Sequence, residues 1–125
     1  MACFIVPVAE AVVTTTLQLA LSRRAPSDAA PAVPTFAEKL GWLNKMLWGG
    51  AALLAFEHVW HGEVTPWFPF LTAAADPADT QEMLHEMATN GVLMAVLVTA
   101  VWGAMLLASH LIARRAATPA PAPAK

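Results

Sequence analysis

Seven side chains in this sequence have the type and spacing to hold a metal ion. Glu10 lies inside an apolar run near the N-terminus. Glu57, His58 and His61 stand in the segment FEHVWHGE, and Glu82, His85 and Glu86 in EMLHEM. On a helix, Glu57 and His61 are four residues apart and share a face, as do Glu82 and Glu86, while His58 and His61 are three apart. Glu82-Met-Leu-His85 is an E-x-x-H. Carboxylates and imidazoles spaced in this way on facing helices are how helical bundles build metal sites, the di-iron and di-manganese proteins among them. Those proteins pair two E-x-x-H motifs with two further glutamates. Here a single E-x-x-H is joined by an E-H-x-x-H, so the likeness is one of ligand style only. Oxygen and nitrogen donors without thiolate suit Fe, Zn or Mn better than Cu(I). The expectation is a divalent metal held by Glu10, Glu57, His61, His85 and Glu86, with His58 and Glu82 either ligating or supporting the ligands. Uptake, delivery or a redox centre would each fit such a site. Haem b is a weaker match. His58 or His61 could face His85, but His110 alone is left for a second haem.

Simpler readings stand beside this one. The histidines could hydrogen-bond water at an interface, and Glu63, Asp76 and Asp79 read as solvated loop charges. Glu10 could sit in a structural polar network. Cys3 is the sole cysteine, which excludes a disulfide framework, and its position suggests no role. There is no Ser/His/Asp grouping, Gly-rich phosphate loop, CxxC or CxxCH.

The elements that must position these residues follow from composition. Of 125 residues, 58% are hydrophobic and 13% charged, where a soluble domain carries about 25% charge. That balance points to an integral membrane protein. A net charge of −2 leaves no basic footprint for nucleic acid. Three stretches approach the roughly 20 apolar residues a bilayer crossing needs. They are Ala2 to Leu21, Gly41 to His61 and Ala88 to Ala113. The first lacks a positive region ahead of its apolar core and is followed by Arg23 and Arg24, so it reads as a retained helix rather than a signal peptide.

Arg23, Arg24, Lys39, Lys45, Arg114, Arg115 and Lys125 all fall on one side of this layout. Gly62 to Met87 has neither Lys nor Arg and holds five acidic residues. The positive-inside rule then predicts an all-α protein with three transmembrane helices, N-out and C-in. The expected divisions are a first span at 1–21, a cytoplasmic Pro/Ala-rich linker at 22–40, a second span at 41–61, and an interfacial outer loop at 62–76. A third span with an external extension follows at 77–113, then a disordered tail at 114–125. Asp76 as N-cap, Pro77 at the first helical position and Asp79 in the first turn mark the start of that third helix. Pro34 to Glu38 could open a short interfacial helix leading into Trp42.

Trp60, Trp67, Phe68 and Phe70 would form the outer aromatic belt, with the segment VTPWFPFL as a lid on the bundle. Trp48 and Trp102 would fill mid-membrane surface. Two polar stripes should face inward: Glu10, Thr14 and Gln18 on the first helix, and Glu86 and Asn90 continuing through Leu97, Ala100, Ala104 and Ala108 on the third. Gly49, Gly50 and Ala55 would permit close contact on the second. All seven candidate ligands would then meet at the outer leaflet of the cell membrane.

Three helices of this size bury little protein surface, so a homo-oligomer or a place in a larger membrane complex is expected. The alternative function is accordingly an accessory subunit of a respiratory or transport complex, its polar cluster serving assembly, haem or quinone contact, or proton transfer. The external segment is too short to host a pocket for soluble catalysis.

Overall fold

The computed structural model describes residues 2–24 and 34–117. Within them the protein is all-helical, with no strand and a single isolated bridge between Val64 and Leu71. Of the extended linker expected over 22–40, residues 22–24 and 36–40 are helical, because the first helix runs on to Arg24 and a cap at Thr35 starts the next helix early; 25–33 lie outside the described residues. Of the tail expected to be disordered over 114–125, residues 114–117 continue the last helix, and the rest lies outside the described residues.

The first helix, α1 (Ile5–Arg24), follows a turn at Cys3 and Phe4. Pro7 sits in its first turn, where the backbone amides have no intrahelical partner and proline costs little. The inward stripe is Pro7, Ala11, Thr14 and Gln18, spaced by four, three and four residues. The second helix, α2 (Phe36–Trp60), begins five residues ahead of the apolar stretch that opens at Gly41. A capping box explains the early start. The Thr35 side chain accepts from the Glu38 N–H at 3.3 Å, and the Glu38 carboxylate accepts from the Thr35 N–H at 2.6 Å. No separate interfacial helix precedes Trp42, because the cap belongs to α2 itself.

Leu40, Leu43, Asn44, Leu47 and Ala51 are the buried positions along most of α2, a helical recurrence that lays one face on α1. Leu40, Leu43 and Leu47 surround Ala11, and Val98 and Trp102 pack on this cluster from the C-terminal helix. The chain then turns at Gly62, whose φ of 73° is left-handed. The loop that follows is closed by Thr65 N–H on the Phe70 carbonyl at 2.8 Å and Phe70 N–H on the Trp67 carbonyl at 2.7 Å. It does not cover the bundle: Trp67 is 66% exposed and Phe68 85%. With its backbone bonded internally, the loop presents its rings outward.

Asp76 caps the next helix by accepting from the Ala78 N–H at 2.8 Å, with Pro77 at the first position. That helix runs without a break from Pro77 to Ala117, 41 residues or about 60 Å. It comprises α3 (Pro77–Glu86), a π turn (Met87–Gly91) and α4 (Val92–Ala117). Its inward positions are Met83, Gly91, Ala95, Val98, Thr99 and Trp102. The expected stripe lies elsewhere: Asn90, Leu97, Ala100, Ala104 and Ala108 are exposed, and Glu86 is half-buried. The physical reason is local. At Gly91 an added Cβ would stand 2.9 Å from the Cys3 carbonyl oxygen and from Val6 Cγ2. This close approach decides which face meets α1, and the extra residue in the π turn shifts the helical phase beyond it by about 100°. Gly49 and Gly50 on α2 likewise face away from neighbours, since a Cβ there would meet nothing within 4 Å.

Two helices are long and apolar enough to cross a membrane, Ile5–Arg24 and Pro77–Ala117. Cys3 lies beside His58, and Gln18 beside Gly41, so α1 and α2 run antiparallel. Pro34 and Lys39 share a small cleft with Ser109, His110 and Ala113. Lys39, Arg114 and Arg115 therefore gather at one end of the bundle, and the start of α1, the end of α2 and the π turn meet at the other.

Candidate functional site

The end opposite the basic residues is organised around His58, which is 6% exposed. Its Nδ1 lies 2.6 Å from the Leu54 carbonyl oxygen, one turn back on α2. A carbonyl can only accept, so Nδ1 carries the proton, and in the neutral ring Nε2 presents a lone pair. Cys3 Sγ sits 3.3 Å from that Nε2 and donates to it. The Glu63 carboxylate lies 3.7 Å from the same atom. Phe4 holds the ring edge-on, with centroids 5.3 Å apart. Glu63 is placed there by the turn after α2: its N–H bonds the His58 carbonyl at 2.9 Å, and its own carbonyl accepts from the Thr72 N–H at 3.0 Å.

A cavity of about 220 Å³ opens beside this group, lined by Cys3, Glu57, His58, His61, Glu63 and Asn90 among others. Burial pushes the Cys3 thiol above its ordinary pKa, and the negative charges of Glu86 and Glu57 add to the rise. The thiol is thus held in its protonated form.

The structure sorts the seven candidate ligands into three groups. Glu57, His58 and His61 line the one cavity, with Glu86 near enough to Cys3 for its charge to be felt. Glu82 and His85 are exposed on α3, five and two residues ahead of the π turn. Glu10 belongs to another environment, where its Oε1 accepts from the Thr99 hydroxyl of α4 at 2.5 Å. Among the described residues no group of three or more His, Cys, Asp or Glu side chains is arranged as it stands to hold a metal ion.

Three residues that the sequence reading passed over matter here. Cys3 and Glu63 flank His58, and Asn44 is the hub of the polar seam. Asn44 is 6% exposed, accepts from Thr14 at 2.5 Å and donates to Gln18 at 2.5 Å. Its signal was present in the sequence, since it stands within the leucine stripe, four residues after Leu40 and three before Leu47. Trp48 and Trp102 do more than fill surface. Their indole N–H groups bond Thr15 of α1 and the Lys39 carbonyl of α2, at 3.1 and 2.8 Å. No described protein family, curated protein or solved structure matches this chain.

Proposed function

We propose that this is a three-span membrane protein, N-out and C-in, that binds a divalent transition metal at the end built around His58. Two helices already have the length and apolarity to cross, and α2 packs along α1 as its antiparallel neighbour. α2 carries charge at Lys39 and Lys45 near one end and at Glu57 near the other, where long side chains can reach the interface. The concentration of Lys39, Arg114 and Arg115 at the opposite end supports a cytoplasmic assignment for that end and a place in the cell membrane.

The observation that carries the metal reading is the Nε2 lone pair of a buried histidine, fixed by its own backbone and aimed between a thiol and a carboxylate. The proton that Cys3 gives to Nε2 marks the point a cation would occupy. A histidine whose other ring nitrogen is bonded to a carbonyl is the arrangement that metal ligands commonly use. The cation would displace the Cys3 proton. His61 and Glu57, which line the same cavity, would complete the set by turning inward. With sulfur among the donors, Zn or Fe is favoured over Mn.

The test is metal analysis of the purified full-length chain, with Co(II) replacement to read out sulfur ligation as a charge-transfer band. One equivalent of metal, lost in both Cys3→Ser and His58→Ala, supports the reading. Metal retained in both variants, or no metal bound by the wild-type chain at micromolar concentration, overturns it. Affinity should fall as the pH is lowered, because the cation competes with the thiol proton.

The role of accessory subunit draws on a different observation, the apolar and exposed outer surface of α4, with Leu93, Val96, Leu97, Leu107 and Ile112 each at least 58% exposed. Lipid or a protein partner would cover it. The Thr14, Gln18 and Asn44 groups are used within the chain, so they are not the contact that such a partner would need.

A further inference from the structure

A second cavity, of about 480 Å³, opens sideways between α1 and α4, the two helices apolar and long enough to cross a membrane. Val6, Val92, Ala95, Val96 and Ala100 supply an aliphatic lining, and Glu10 and Thr99 supply the polar atoms. The Thr99 hydroxyl spends its hydrogen on Glu10 Oε1, and no described group bonds the other carboxylate oxygen. The cleft thus offers an acceptor and no free donor. Its size lies in the range of small-ligand sites.

We propose that this cleft binds a neutral amphiphile with a single hydroxyl head, of the alkylphenol class. The hydroxyl would donate to Glu10, and the apolar tail would run along Ala95 and Val96. The chemistry selects against the alternatives. An anionic head would be repelled by the carboxylate. An ammonium head can give one N–H to Glu10, but its other two would be left against the aliphatic lining at a cost. A single O–H is satisfied by the one free acceptor. The site is separate from the His58 end and does not depend on metal binding there.

The full-length protein in lipid nanodiscs would be titrated with 4-decylphenol, its methyl ether and decylammonium, with saturation followed by ligand-observed NMR. Saturable binding of the phenol is expected. It should weaken by about tenfold or more for the ether, in Glu10→Leu, which removes the acceptor, and in Ala100→Phe, which fills the mouth from an exposed position. The ether comparison uses the unaltered protein, so it holds even if a variant folds poorly. Binding of the ether or of decylammonium as tight as that of the phenol overturns the proposal, as does the absence of saturable binding. Metal content at the His58 end should be the same in Glu10→Leu and wild type, which keeps failure here distinct from failure of the metal reading.

Discussion

α1 has two seams, and they are built on opposite plans. Against α2 it is closed: Ala11 is fully buried among Leu40, Leu43 and Leu47, and Thr14, Asn44 and Gln18 bond one another. Against the long C-terminal helix it meets Gly91 of the π turn closely and bonds Glu10 to Thr99 of α4, and beside that bond it leaves an open cleft. The same helix carries polar groups into both. In the first they saturate each other and lock the register. In the second a carboxylate keeps one acceptor unspent. Polar residues in an apolar helix therefore have no fixed meaning, and the facing helix decides whether they are glue or site.

The largest effect should come from the closed seam. Leu47 is the largest fully buried side chain, at 0% exposure. Leu47→Ala should cost about 2 kcal/mol. That is the low end for a leucine cavity, since lipid replaces water as the reference for the separated helices and mainly the lost packing remains. Reversible unfolding in mixed micelles measures it. A cost no greater than that of a truncation in the open seam, such as Val96→Ala, would break the distinction between the seams.

Next is the contact point of the open seam. Gly91→Ala puts a methyl 2.9 Å from the Cys3 carbonyl, so α1 must move away from the π turn, at about 1–2 kcal/mol. The displacement would draw Cys3 off His58. Maleimide labelling of Cys3, slow in wild type because the thiol is buried and protonated, should accelerate in the variant. Unchanged labelling would mean that Gly91 does not hold the His58 end together.

Part of this arrangement was legible in the sequence and part was not. Local rules placed the start of the long helix, because Asp76 and Pro77 act within one turn. They also placed Thr14 and Gln18 on one face of α1, where both meet Asn44. What failed was pairing across helices. Glu10 has the same spacing as its two stripe-mates but lies against α4, and nothing in a stripe says which neighbour each member meets. Cys3 was dismissed as a lone thiol because its partner is 55 residues away and only the antiparallel pairing of α1 with α2 brings them together. The third-helix stripe was misplaced because a π turn changes the helical phase, and its sequence, MATNG, carries no distinctive mark.

Asn44→Leu tests the glue directly. It keeps the branched shape and removes both interhelical bonds, at about 1 kcal/mol, in line with hydrogen bonds inside membranes, where the separated helices find other partners. In the variant the one Thr14 hydrogen can turn to the Glu10 carbonyl, 2.8 Å away, so Thr14 loses little and most of the cost falls on Gln18. A double-mutant cycle with Gln18→Leu should return most of that energy as coupling.

Thr99→Val is the smallest of these changes and the sharpest test of the comparison. It removes the hydroxyl that occupies one Glu10 oxygen, with no change in shape. A threonine hydroxyl in a helix can also bond the carbonyl one turn back, so the net worth of its bond to Glu10 should be about 0.5 kcal/mol or less. Stability should therefore fall less in Thr99→Val than in Asn44→Leu. Ligand behaviour should move the other way: with both carboxylate oxygens unspent, Glu10 should hold a hydroxyl-headed amphiphile at least as well as before. If Thr99→Val were instead the more destabilising change, the bond across the open seam would be structural, and the cleft would be a packing defect rather than a place for a ligand.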